Sequence, residues 1–237
     1  MSHFLGKGNA ATFFAMVLTS GQALFFLYHK DSYADNPVML RSSKPMVMRD
    51  VFLTKCSSFF PNPLSCVYVH KASDAFLNSL TSWLLVRPIV DVIGWKSGVA
   101  LYAGSGLFSS FAYLFGCQLR RTKTNTQFDC NATSNGAFAG FAALSLMMPK
   151  CYIPASRRAP VYYVGIPYIV KCAYDEYIGP IFFEKREPGN IELRNWGFVG
   201  GVFFAFIFSS LVLRTRSDFG RMNLFWTNLK KLPCRLY

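Results

Sequence analysis

The sequence predicts an all-α protein, a polytopic bundle of six membrane-crossing helices, and three observations carry that prediction. Of 237 residues, 52% are hydrophobic and only 16% are charged, against about 25% charged in ordinary soluble domains. Six apolar stretches approach the ~20 residues that a helix needs to cross hydrocarbon. The basic residues behind the net charge of +13 gather between those stretches, in "QLRRTK", "PASRRAP" and "RTRSDFGR". That is where loops meet lipid headgroups, so the charge points to lipid and not to nucleic acid as the partner.

Taken in order, the first stretch covers residues 10–28 and the second 76–93, followed closely by the third at 98–117. The fourth, 133–148, is apolar but opens on Thr133, Ser134, Asn135 and Gly136. The fifth, 161–180, contains Lys171, Asp175 and Glu176. The sixth, 196–213, reads "WGFVGGVFFAFIFSSLVL" and is the cleanest. The six stretches make one membrane domain, 1–213, with a long loop at 30–73 and a basic amphipathic tail at 214–237. A loop that long needs a reason. Its apolar run "VFLTKCSSFF", ended by "PNP", suggests a helix lying in the membrane interface.

Lys171 in mid-helix costs about 2.5–3.5 kcal/mol on insertion scales. Asp175 follows one turn later on the same face and can offset part of that cost as an intramembrane pair. No second charged span complements Lys171, which favours a protein-facing helix over an ion or proton path. Seven cysteines are scattered singly, with no C-x-x-C pair, so no metal site is expected. Cys56 and Cys66 lie in one loop, at a spacing that a disulfide can close and that also arises by chance. Gly136 with Gly140, and Gly197 with Gly201, are G-x-x-x-G pairs. Small residues let helices approach closely in lipid, where packing supplies the drive to associate, so the fourth and sixth stretches are expected to touch.

Three motifs in order resemble the rhomboid intramembrane proteases. The second and third stretches, "ASDAFLNSLTSWLLVRPIVDVIGWKSGVALYAGSGLFSSFAYLF", resemble the matching pair of that family. The family's fourth span opens with Gly-x-Ser-Gly, and "TSNGAFAGF" is similar; its sixth carries His-x-Gly-Gly, and "GFVGGVFFAF" is similar except at one position. The resemblance implies a rhomboid-like bundle with the chemistry removed. The nucleophile position falls on Asn135, which has no hydroxyl to activate. The general-base position falls on Phe198, which has no nitrogen to take a proton. The oxyanion-stabilising pair falls on Asp74 and Asn78, and an aspartate there repels a developing oxyanion. His3, His29 and His70 are the only histidines, and none lies on the sixth stretch.

The expectation is therefore a rhomboid pseudoprotease and not an enzyme. It is expected to be a structural accessory subunit of a multi-subunit mitochondrial inner-membrane complex of respiratory or ATP synthase type. Its partners would be other integral membrane subunits and lipids. It needs no cofactor, although a bound phospholipid fits this reading. The alternative is a substrate-handling component of a translocase or retrotranslocation machinery, in the endoplasmic reticulum membrane if not the mitochondrion. No cleavable secretory signal is recognisable, and the basic balance leans to the mitochondrial inner membrane.

Overall fold

The computed structural model describes residues 7–33, 72–119, 132–148, 151–153, 159–174 and 196–213. Six helices account for nearly all of them. Helix α1 is Lys7–Tyr33. Helix α2 starts as Ala72–Thr81, passes through a π turn at Ser82–Val86, and continues as Arg87–Ile93. Then come α3, Trp95–Leu119, α4, Ala132–Leu146, and α5, Tyr162–Ala173. The last, α6, is Trp196–Phe208 and ends in a second π turn, Ser209–Leu213.

The break in α2 has a sequence cause. Pro88 has no N–H to give to the carbonyl one turn back, and its ring crowds that carbonyl. The helix widens just before it, and the Arg87 N–H donates to the Ser82 carbonyl five residues earlier, the spacing of a π turn. The end of α2 is equally local. Gly94 takes φ 86°, ψ 152°, and its N–H closes onto the Val90 carbonyl at 2.8 Å. One residue at positive φ, natural for glycine, thus turns the chain directly into α3. The hairpin closes tightly, since a Cβ at Gly98 would stand 2.6 Å from a Val90 methyl.

Helix α4 is the hub. Residues 135–145 are buried on every side, between α3, α5 and α6. A helix apolar all round belongs in such a place. The outer helices α1 and α5 bury one stripe each, at helical spacing. In α1 the stripe is Ala11, Ala15, Leu18 and Gln22; along α5 it is Val161, Gly165, Tyr168 and Cys172. The opposite faces carry Phe13, Met16, Val17 and Leu24 on α1, and Tyr163, Ile166 and Val170 on α5, all exposed. The buried stripes mix small, polar and apolar residues while the outer faces are large and apolar, where a soluble helix would be polar.

Between α4 and α5 the chain makes a short hairpin, in which Tyr152 and Pro160 form an isolated antiparallel bridge. The Val161 N–H donates to the Cys151 carbonyl at 2.9 Å, which seats the start of α5 beside the end of α4.

The sequence expectation needs three adjustments. Among the described residues, one helix, Asp74–Ile93, is long and apolar enough to cross a membrane; Asn135–Leu146 and Gly197–Leu211 are apolar but shorter. The loop expected at 30–73 is narrower, because α1 continues to Tyr33 and α2 begins at Ala72. The earlier start of α2 also puts Asp74 on a helix, so a charged partner for Lys171 does exist. The remainder of that loop, with Cys56 and Cys66, and the tail 214–237 lie outside the described residues.

Candidate functional site

Polar side chains converge where α1, α2 and α5 meet. On α2, Asp74 and Asn78 lie four residues apart and share one face. On α5, Tyr168 and Lys171 are separated by three residues and do the same. Gln22 closes the buried stripe of α1. The Lys171 ammonium donates to Asp74 Oδ1 at 2.5 Å. One turn along, the Tyr168 hydroxyl donates to Asn78 Oδ1 at 2.7 Å, and Asn78 Nδ2 donates to Gln22 Oε1 at 3.3 Å. The result is a ladder with two rungs, one ionic and one neutral.

Burial decides what this ladder can do. Gln22 and Asn78 are fully buried, Tyr168 nearly so, and the Asp74 side chain is 7% exposed. The Lys171 side chain, at 29%, reaches the exterior. A carboxylate that deep needs its counter-ion, and the amide and phenol need partners because an unmet buried polar group costs about 1–3 kcal/mol. Each group meets that need through another helix. The Ser82 hydroxyl also donates to the Asn78 carbonyl at 2.8 Å, at the start of the π turn. The arrangement is suited to holding three helices in register. Among the described residues, no three His, Cys, Asp or Glu side chains converge as metal ligands would.

The other seam joins α4 to α3 and α6. A Cβ at Gly201 would fall on the Gly136 carbonyl oxygen, and one at Gly136 would stand 2.8 Å from the Gly197 carbonyl. Cβ atoms at Gly136 and Gly140 would also collide with the hydroxyls of Ser109 and Ser105 on α3. Asn135, buried, and Phe198, half-buried, are the chain neighbours of Gly136 and Gly197 in this seam. On α3, the Ser110 hydroxyl bonds to its own helix, donating to the Gly106 carbonyl at 3.1 Å; on α4, Ser145, which faces Gly165 of α5, does the same to the Ala142 carbonyl at 2.6 Å. Ser105 Oγ is buried without a hydrogen-bond partner.

Asp74 and Asn78, singled out from the sequence, thus come together with Lys171, whereas Asp175 lies outside the described residues. Sequence reasoning does not single out Gln22 or Tyr168. Their signals are faint: one amide in the apolar stripe of α1, and a tyrosine one turn before an intramembrane lysine. No family model, curated protein or solved structure matches the chain.

Proposed function

We propose that the chain is a non-catalytic, rhomboid-like integral membrane protein. It serves as a structural accessory subunit of a multi-subunit complex, placed by its basic loops in the mitochondrial inner membrane. The observation that carries this reading is the inverted distribution of side chains. Phe76 is 72% exposed and Leu24 67%, while Gln22, Asn78 and a run of serines are buried. Lipid makes the first inexpensive, and interhelical bonding makes the second stable. In water the same exposed faces would form a large apolar patch of the kind that marks a membrane or partner surface.

The non-catalytic part rests on chemistry. Asn135 and Phe198 offer neither a nucleophile nor a base. Asp74 and Asn78 are engaged by α1 and α5, so they act as braces between helices. The rhomboid likeness rests on the order of three sequence motifs.

Native purification in mild detergent, followed by mass spectrometry of the co-purifying proteins, tests this reading. A constant, near-stoichiometric set of membrane subunits is expected and would name the complex. A shifting, substoichiometric set of clients would overturn it in favour of substrate handling.

A further inference from the structure

The exposed aromatic residues are sorted by position. Each tryptophan or tyrosine that is exposed among the described residues lies at a helix end: Trp95 opens α3, Tyr163 is the second residue of α5, Tyr152 sits in the hairpin before α5, and Tyr174 caps the end of α5. Along the helix bodies the exposed large residues are instead Phe13, Met16, Val17, Phe111, Val170 and Phe203, which carry no polar side-chain atom. Rings with an N–H or O–H favour the boundary between hydrocarbon and water, where one end is dry and the other wet.

Three of these rings share one end of the bundle. The Gly94 turn places Trp95 immediately after the last turn of α2. Gly136 packs on Ser109 and Gly140 on Ser105, so α4 runs antiparallel to α3 and ends beside its start, which puts the hairpin carrying Tyr152 at the same end. The bond from the Val161 N–H to the Cys151 carbonyl then brings in the first turn of α5, with Tyr163. Trp95 is 51% and Tyr163 60% exposed. The Lys96 ammonium lies 6.0 Å above the Trp95 ring, and it has no carboxylate partner among the described residues.

We infer that this end of the bundle is a membrane-interface rim, in which Trp95, Lys96, Tyr152 and Tyr163 engage the headgroup layer of a phospholipid bilayer. The inference rests on the membrane reading above and adds the depth at which the α2–α3 turn sits. Phospholipid fits the rim on two counts: its ester and phosphate oxygens accept from the indole N–H and the phenols, and its phosphate answers the Lys96 cation. Among the described residues this end also carries the exposed Asp91 carboxylate, so its charges balance and neutral phosphatidylcholine suffices.

The test is tryptophan quenching in the full-length protein reconstituted into phosphatidylcholine vesicles. The lipids carry a nitroxide either on the headgroup or at carbon 12 of an acyl chain. The Trp95 signal is the difference between the native chain and Trp95→Phe, a single replacement at an exposed site. The Trp83 signal, from mid-α2, is obtained in the same way with Trp83→Phe. Headgroup nitroxide should quench Trp95 at least about twofold more than the deep label, with the order reversed for Trp83. Stronger quenching of Trp95 by the deep label, or by neither label in vesicles that carry the protein on flotation, overturns the rim alone. A protein that does not float with the vesicles overturns the membrane reading as well.

Discussion

Where α4 meets α3 and α6, the helices are joined by what their residues lack; where α2 meets α1 and α5, by what their residues carry. The first seam brings backbones together through Gly136, Gly140, Gly197 and Gly201, with Ser105 and Ser109 filling the remaining space. The second joins its helices through side chains, the Asp74–Lys171 pair and the Gln22–Asn78–Tyr168 chain. A glycine seam is held by contact and tolerates no added volume. A polar ladder is held by matched partners and fails when one is removed. The difference separates a rigid hub from two outer helices braced against it.

The largest effect is expected in the glycine seam. In Gly201→Val the new Cβ meets the Gly136 carbonyl, which is backbone and cannot swing aside as a side-chain tip does. Overpacking of this kind costs about 3 kcal/mol or more. Unfolding in mixed micelles, followed by circular dichroism, should show a large loss of stability or no folded protein. Near-native stability would mean that α4 and α6 do not approach this closely.

The ladder should give the next largest effect, and an unequal one. Lys171→Met leaves the buried Asp74 carboxylate uncompensated, at about 3 kcal/mol. Asp74→Asn leaves an ammonium that already reaches the exterior, and costs about 1 kcal/mol. The double variant should lose clearly less than the two single losses added together. Additive losses in the same unfolding assay would show that the two groups do not act as a pair.

These two seams are unequally legible in the sequence. The G-x-x-x-G spacing is local, so Gly136, Gly140, Gly197 and Gly201 stand out as packing positions from residue order alone. Six helical stretches are readable for the same reason, from runs of apolar residues. The ladder joins residues 56, 90 and 97 positions apart, and no local pattern encodes such pairings. Starting the second stretch at residue 76 also leaves Asp74 in a loop, which hides the partner of Lys171. The pair with Asp175 expected from the i, i+4 rule lies outside the described residues, and the long-range pair with Asp74 is the one the structure shows. The Gly94 turn has no comparable signal, because its importance lies in a φ of 86° and not in any spacing.

A smaller effect separates the neutral rung from the ionic one. Tyr168→Phe keeps the ring beside Phe138, whose centroid lies 6.3 Å away, and removes the hydroxyl that bonds to Asn78 and also meets the Cys172 side chain. The expected loss is about 1 kcal/mol, with the helical content unchanged. A loss as large as that of Lys171→Met would mean that the neutral rung, and not the ion pair, is the main brace.

The smallest effect lies outside both seams, in the hairpin between α4 and α5. Burial pushes the Cys151 thiol from 9.0 up to about 11, and the nearby Asp91 carboxylate adds to the rise. The thiol is the neutral form, so the folded state keeps a proton that the unfolded chain gives up sooner. The stability this contributes is complete below pH 9.0 and is lost as the pH rises through about 11. Since the thiolate is the reactive species, iodoacetamide should leave Cys151 unmodified at about pH 8 in the folded protein. Peptide mass spectrometry should show modification only as the pH approaches about 11. Asp91→Asn removes the lesser cause and should move that onset slightly lower, leaving most of the rise in place. Ready modification well below pH 9.0 would mean that the hairpin is open, and the seating of α5 against the end of α4 would have to be redrawn.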